Sequence, residues 1–215
     1  MRTHFGTIAI LATALSALPM AFSGVMDDVS RLQQEWERVK YQTPPPEQER
    51  EFARLSAEAE SLVVQNPRRA EVLIWHGIVA ASHAGAKGGL GALSLVKAAK
   101  QDFEQALEIN PEALSGSAYT SLGSLYYQVP GWPLGFGDDK KAFEYLRKGL
   151  SINPDGIDPN YFYGDFLYRK GDLDGAERAL KKAMTAPPRP GRRVADEGRR
   201  REAAELLEKI AEKRK

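Results

Sequence analysis

Residues able to do covalent chemistry are few. The 215-residue chain holds three histidines, His4, His76 and His83, and no cysteine. Without a thiol there is no Cys nucleophile, no disulfide framework and no lipid-modified N-terminal Cys. No His-Glu-x-x-His or Gly-x-Ser-x-Gly occurs, so a zinc-protease helix and a nucleophile elbow are both missing. His76 falls where helical periodicity places a large apolar residue, which makes it a hydrogen-bonded core histidine and not a base. Carboxylates are plentiful, but they alternate with bases along helical stretches and read as solvated faces. The Gly-rich run 85–91 lacks the Gly-Lys-Ser/Thr ending of a phosphate loop and follows a helical stretch, not a strand. The sequence predicts no catalytic residue, no metal and no cofactor.

What remains is recognition chemistry. The stretch SLGSLYYQVPGWPLGFGDDKKAF, residues 121–143, starts as a helix and breaks into prolines, glycines and aromatics before helical residues resume. Trp132 and Phe136 in that break have two readings: interface anchors covered by a partner, or a compact loop tucked back onto its own helices.

The elements that position these residues are marked by three Asn-Pro dipeptides, 66–67, 110–111 and 153–154, and by Pro187-Pro188. Proline disfavours helical geometry in the residue before it, so each dipeptide ends a helix. From Pro67 to Pro111, Pro154 and Pro188 the spacings are 44, 43 and 34 residues. Between them recurs a pattern of aromatic, Leu-Gly, Tyr, Ala, bulky and Pro. The middle unit has Tyr119, Leu122-Gly123, Tyr126, Ala142, Leu146 and Pro154. The last has Tyr163-Gly164, Leu167, Ala176, Leu180 and Pro188; a weaker first unit has Leu73, His76-Gly77, Ala80, Ala99, Phe103 and Pro111. A helical glycine costs about 1 kcal/mol relative to alanine, so Gly77, Gly123 and Gly164 mark close helix crossings, with Ala99, Ala142 and Ala176 expected opposite them.

Over residues 70–188 this pattern resembles the tetratricopeptide repeat (TPR) family. The resemblance implies an all-α, right-handed solenoid of helix pairs, with units at 70–111, 114–154 and 157–188. Residues 26–67 read as a degenerate leading pair, with Val29, Leu32, Trp36 and Val39 and then Phe52, Leu55, Ala59 and Leu62 on helical faces. Residues 192–213 read as a capping helix, apolar at Ala203, Leu207, Ile210 and Ala211. Between Arg189 and Lys215 stand ten basic and six acidic residues, read as a solvated face. Asp138 or Asp139, Asp158 (followed by Pro159) and Asp172 are expected N-caps. The first unit carries ten residues more than the last between Gly and Ala, and the middle unit seven more. Both insertions are expected in the intra-repeat turn, on one edge of the array.

In the TPR family the first helix of each pair lines a concave groove. Carrying its offsets over gives Glu71, Ile74, Ile78 and Ser82; Ser117, Thr120, Ser124, Tyr127 and Gln128; and Asp158, Tyr161, Asp165, Tyr168 and Arg169. The Lys/Asn clamp that some TPR domains use for a carboxylate-ended tail is absent. Among these, Tyr127, Gln128, Tyr161, Asp165, Tyr168 and Arg169, with Trp132 and Phe136 in the loop, are the expected partner-binding residues, and a protein or peptide segment the expected partner.

The N-terminus adds an address. Met1–His4 is a short basic region, Phe5–Met20 an Ala/Leu/Ile-rich run, and Ala21-Phe22-Ser23 a small-residue cleavage site before Gly24. Residues 1–23 are therefore expected to be a signal peptide of a periplasmic or otherwise exported protein, with 24–215 a single helical domain and no stable membrane span after cleavage. Removing Arg2 balances 29 bases against 29 acids, and that neutrality predicts no nucleic-acid partner. Export, long insertions, GFGDDKKAFEYLRKGLSINP and the closing ADEGRRREAAELLEKI together resemble the T-component (TatT-like) proteins of TRAP transporters. That resemblance implies an accessory protein that binds a solute-binding protein or a small apolar ligand.

Overall fold

A computed structural model describes the backbone of residues 18–215 and side chains from Gly24 onward; the predicted signal peptide lies outside the described residues apart from a backbone stretch at 18–23. The described residues form nine helices and no strand: α1 (Leu18–Gln42), α2 (Pro45–Gln65), α3 (Ala70–Lys87), α4 (Ala92–Ile109), α5 (Ala113–Gln128), α6 (Asp139–Ile152), α7 (Ile157–Lys170), α8 (Leu173–Thr185) and α9 (Arg193–Lys213). Sequence neighbours pack in pairs, α3 on α4, α5 on α6 and α7 on α8, and the pairs stack.

The helix ends follow local chemistry. Asn66, Asn110 and Asn153 are the C-caps of α2, α4 and α6, each just before its proline. Asp138 caps α6 by accepting from the amides of Lys140 and Lys141, and Asp172 caps α8 by accepting from Gly175. At α7 the expectation fails, because its N-cap is Gly156 and Asp158 lies inside the first turn. The Asp158 carboxylate points instead at Arg189 and Arg199.

Gly123 lets α5 and α6 cross closely. A Cβ there would sit 2.6 Å from Leu146 Cγ, and Gly77 and Gly164 meet Phe103 and Leu180 in the same way. The nearest partner is thus the bulky residue four positions after each expected alanine, and at Gly164 the Ala176 carbonyl oxygen follows at 3.4 Å. Ala99, Ala142 and Ala176 are fully buried beside that bulky residue.

The insertions differ from each other. In the first unit α3 and α4 have grown to 18 residues each, leaving only residues 88–91 as the turn. That first expectation is corrected: a helix extended at each end satisfies its own backbone, which a ten-residue loop would not do. The middle insertion is a true loop at 129–138, closed by hydrogen bonds from Gly137 N–H to the Pro130 carbonyl and from Asp138 N–H to the Tyr126 carbonyl.

The last helix, α9, packs on α7 and α8, as expected of a capping helix, and also on α1, which brings the two ends of the array together. Its buried apolar side chains are Ala195, Ala203, Leu206 and Ile210; the expected Leu207 is half-buried and packs against the same core, whereas Ala211 is exposed.

Candidate functional site: the inner cavity

Residues of α1 to α5, α7 and α9, with the 187–192 segment, line one partly open cavity of about 1210 Å³. Its wall runs the length of α5, from Leu114 to Gln128, and of α7, from Ile157 to Arg169. Ser117, Ser121, Ser124 and Gln128 form a neutral hydrogen-bonding stripe at helical spacing on α5. Ile78, Leu93, Val96, Leu114 and Leu134 supply apolar wall, and Trp36 and Trp75 face it from α1 and α3.

Ends of the helix array meet at a polar seam. The Ala195 N–H donates to the Glu37 carboxylate at 3.1 Å in a buried contact, and Arg192 lies 3.5 Å from the same group. The Arg192 guanidinium stands 4.9 Å from the Trp75 ring centre, a cation–π contact that desolvation strengthens. Tyr41 donates to Glu202 at 3.4 Å, and its ring covers Gly198, where a Cβ would collide with it.

Asp158 is the hub of this seam. Arg189 donates to it at 2.5 Å and Arg199 at 2.8 Å; Arg189 also donates to Asp196, and Arg199 to Glu202. Burial alone would raise the Asp158 carboxyl, but the two guanidiniums outweigh it and hold the group well below the usual carboxylate range. Burial pushes the neighbouring Tyr161 phenol up to about 12. The basic residues at 189–199 are therefore not one solvated face: Arg199 is buried, and Arg189 and Arg192 are half-buried. Asp102, Asp165 and Asp196 are buried as well, against the expectation that carboxylates mark solvated faces. Each has a cationic or hydrogen-bonding partner, as a buried charge requires.

The expected groove residues divide. Ile78, Ser82, Ser117, Thr120, Ser124 and Gln128 lie on the cavity wall, as do Asp158, Tyr161, Asp165 and Arg169. Glu71, Ile74, Tyr127 and Tyr168 do not. Tyr127 packs between α5 and α7: its hydroxyl donates to Asp165 at 2.8 Å, and Arg169 lies over its ring at 5.2 Å. Burial, then the Asp165 charge, pushes its phenol well above the ordinary value. Tyr168 faces α9, with Lys213 Nζ 4.1 Å from its ring centre. In the loop, Phe136 tucks edge-on against Tyr126 at 5.6 Å and under Lys100 of α4 at 5.9 Å, whereas Trp132 is 90% exposed.

Sequence offsets missed Ser121, the two cavity tryptophans and Arg189, Arg192 and Arg199. Ser121 was legible, since it continues the spacing from Ser117 to Ser124 and Gln128. The arginines were not, because nothing local ties residues 189–199 to Asp158 or Glu37. Of the histidines, His76 is the hydrogen-bonded core residue expected, with Asp102 at 2.7 Å. Ser56 Oγ lies 3.3 Å from His83 Nδ1, but its proton goes to the Phe52 carbonyl at 2.8 Å, so the pair is not an activated nucleophile.

No protein-family model and no curated protein matches the chain. Among solved structures it is similar to MamA, at 20% identity and TM-score 0.44, covering 76% of this chain and 89% of that one. It is also similar to TTC0263, described as a thermophilic TPR protein in Thermus thermophilus, at 16% identity and TM-score 0.54, covering 86% of this chain and 94% of that one. The likeness to TTC0263 is one of fold: the chain is an all-α helical-repeat array of the kind found in a TPR protein.

Proposed function

We propose that this protein is a non-catalytic binding scaffold that takes an extended protein or peptide segment into its inner cavity. One observation carries the reading: seven helices turn a mixed hydroxyl, amide, aromatic and aliphatic wall onto a single cavity larger than the roughly 300–1,000 Å³ of ordinary small-molecule pockets. Along the regular part of α5, residues 117–128 after the left-handed turn at Leu114–Gly116, the helix rises about 18 Å at 1.5 Å per residue, and an extended segment of about five residues fits at roughly 3.3 Å each. Gln128, Tyr161, Asp165 and Arg169 would hydrogen-bond its backbone. Tyr127 orients Asp165, Tyr168 braces α7 on α9, and Phe136 supports the loop that carries Trp132 for the partner to cover. The N-terminal sequence supports an exported, periplasmic setting.

One feature favours a second reading. The meeting of α1 with α9 brings the ends of the array together beside the cavity, and apolar wall from Ile78, Leu93, Val96 and Leu114 also suits a small apolar ligand, as in a TRAP T-component-like accessory protein.

A cross-linked pull-down with the tagged mature protein from periplasmic extract, compared with Ser124→Trp, separates the outcomes. A stoichiometric protein captured by wild type and lost from the folded variant supports the scaffold. A co-purified organic ligand or a solute-binding protein favours the accessory reading, and equal capture by both forms removes the cavity from the account.

A further inference from the structure

His76, within α3, has a carboxylate at each ring nitrogen. Nδ1 lies 2.7 Å from Asp102 Oδ2 of α4, and Nε2 lies 3.1 Å from Glu60 Oε2 of α2. A neutral imidazole carries one N–H and an imidazolium two. Only the protonated ring can donate to both helices at once.

The surroundings favour that state. The His76 side chain is 13% exposed and that of Asp102 is 12%, while Glu60 stands at the edge at 62%. Burial pushes the imidazole down, but the hydrogen bonds and charges of Asp102 and Glu60 outweigh it and leave His76 above its ordinary value. Those two carboxylates are the charged groups facing it from the packed helices. His83, on the same helix, has no carboxylate at hydrogen-bond distance, and burial and Lys87 push it down.

Glu60 belongs to the pair α1–α2, and α1 carries Glu37, Lys40 and Tyr41 to the seam with α9. Because α2 packs on both α1 and α3, a change in how α2 is tied to α3 reaches α1 and its seam with α9. We propose that His76 is a pH-dependent strut: protonated, it ties α2 and α4 to α3 and holds the array closed, whereas deprotonated it releases Glu60 and loosens the α1–α9 seam. The strut would regulate access to the cavity, a consequence that rests on the binding role proposed above. Because the folded value is raised, the tie is complete below the unfolded histidine value of about 6.5 and is lost as pH rises through the folded value.

Two measurements on the mature chain test this: NMR titration of the His76 and His83 imidazoles, and amide hydrogen-exchange protection below and above the His76 midpoint. His76 is expected to titrate above about 6.5, with protection of α2 and of the start of α9 falling about two- to fivefold across the midpoint, the scale of a partly exposed ion pair. Glu60→Gln changes only an exposed side chain and keeps the His76–Asp102 contact. It is expected to lower the His76 midpoint and leave seam protection flat with pH. Titration of His76 at or below 6.5, or unchanged seam protection while it titrates, overturns the strut. Failed ligand capture with this behaviour intact would overturn the cavity's binding role and leave the strut standing.

Discussion

At the scale of single residues, backbone conformation at the start of α5 stands out. Leu114, Ser115 and Gly116 have φ of 47°, 55° and 75°, a left-handed turn that costs a non-glycine residue about 1–2 kcal/mol. Gly116 is suited to it, but Leu114 and Ser115 are not, and both lie on the cavity wall. Ser115 is exposed, so Ser115→Gly should relieve the strain and raise urea-unfolding stability by about 1 kcal/mol. A loss of stability would show that its side chain supports the turn. Gly123 predicts the opposite sign. A Cβ there would meet Leu146 Cγ at 2.6 Å and its backbone nitrogen at 3.0 Å, and backbone cannot yield as a flexible side-chain tip can. Gly123→Ala should cost about 1–3 kcal/mol despite alanine's better helix propensity, and a stabilised variant would mean that α5 and α6 are not so close.

At the scale of elements, much was legible because the cues were local. Asn-Pro closes three helices and Asp138 and Asp172 open two, and each acts within one turn of its own position. Asp158 shows where locality fails. Asp-Pro is a good helix-start signature, yet the helix begins before it, and the carboxylate serves α9, 41 residues away at Arg199. The loop 129–138 was legible as an interruption, but the opposite fates of Phe136 and Trp132 depend on Tyr126 and Lys100 beside one and open solvent around the other. Asp158 also fixes an acid response. Its folded value is depressed, so its stabilisation is present above the unfolded carboxylate value of about 4 and fades as pH falls through the folded one. Asp158→Asn should cost about 2–3 kcal/mol at pH 7, the worth of charge-assisted hydrogen bonds. It should also lose less stability than wild type between pH 7 and pH 3. Parallel pH profiles for the two proteins would show that Asp158 is not the group responsible.

For the whole molecule, the determining contact is the one that no periodicity announces. A repeat pattern tells which helix packs on the next, since each unit touches only its neighbours, and the likeness to a TPR protein extends no further than that. Whether the two ends meet depends on accumulated curvature and on a few polar pairs: Glu37 to Ala195, a separation of 158 residues, and Tyr41 to Glu202, a separation of 161. An open array unfolds as a line of coupled units, and its terminal pair can fray alone. Closure through α1 and α9 gives that terminal pair neighbours on both sides, which should make its unfolding coincide with the rest. Glu37→Ala combined with Tyr41→Ala should undo this by removing the buried acceptor of Ala195 N–H, the partner of Arg192 and the ring that covers Gly198. Trp36 and Trp75 lie in the N-terminal cluster, and Trp132 is in the solvent. In a Trp132→Phe background, fluorescence therefore reports the α1–α3 region while circular dichroism reports all helices. The two urea transitions are expected to coincide in the otherwise unaltered chain and to separate in the double variant, with fluorescence changing first. Coincident transitions in that variant would mean that the stack α1–α3 holds without the seam, and that the ends of the array touch without depending on each other.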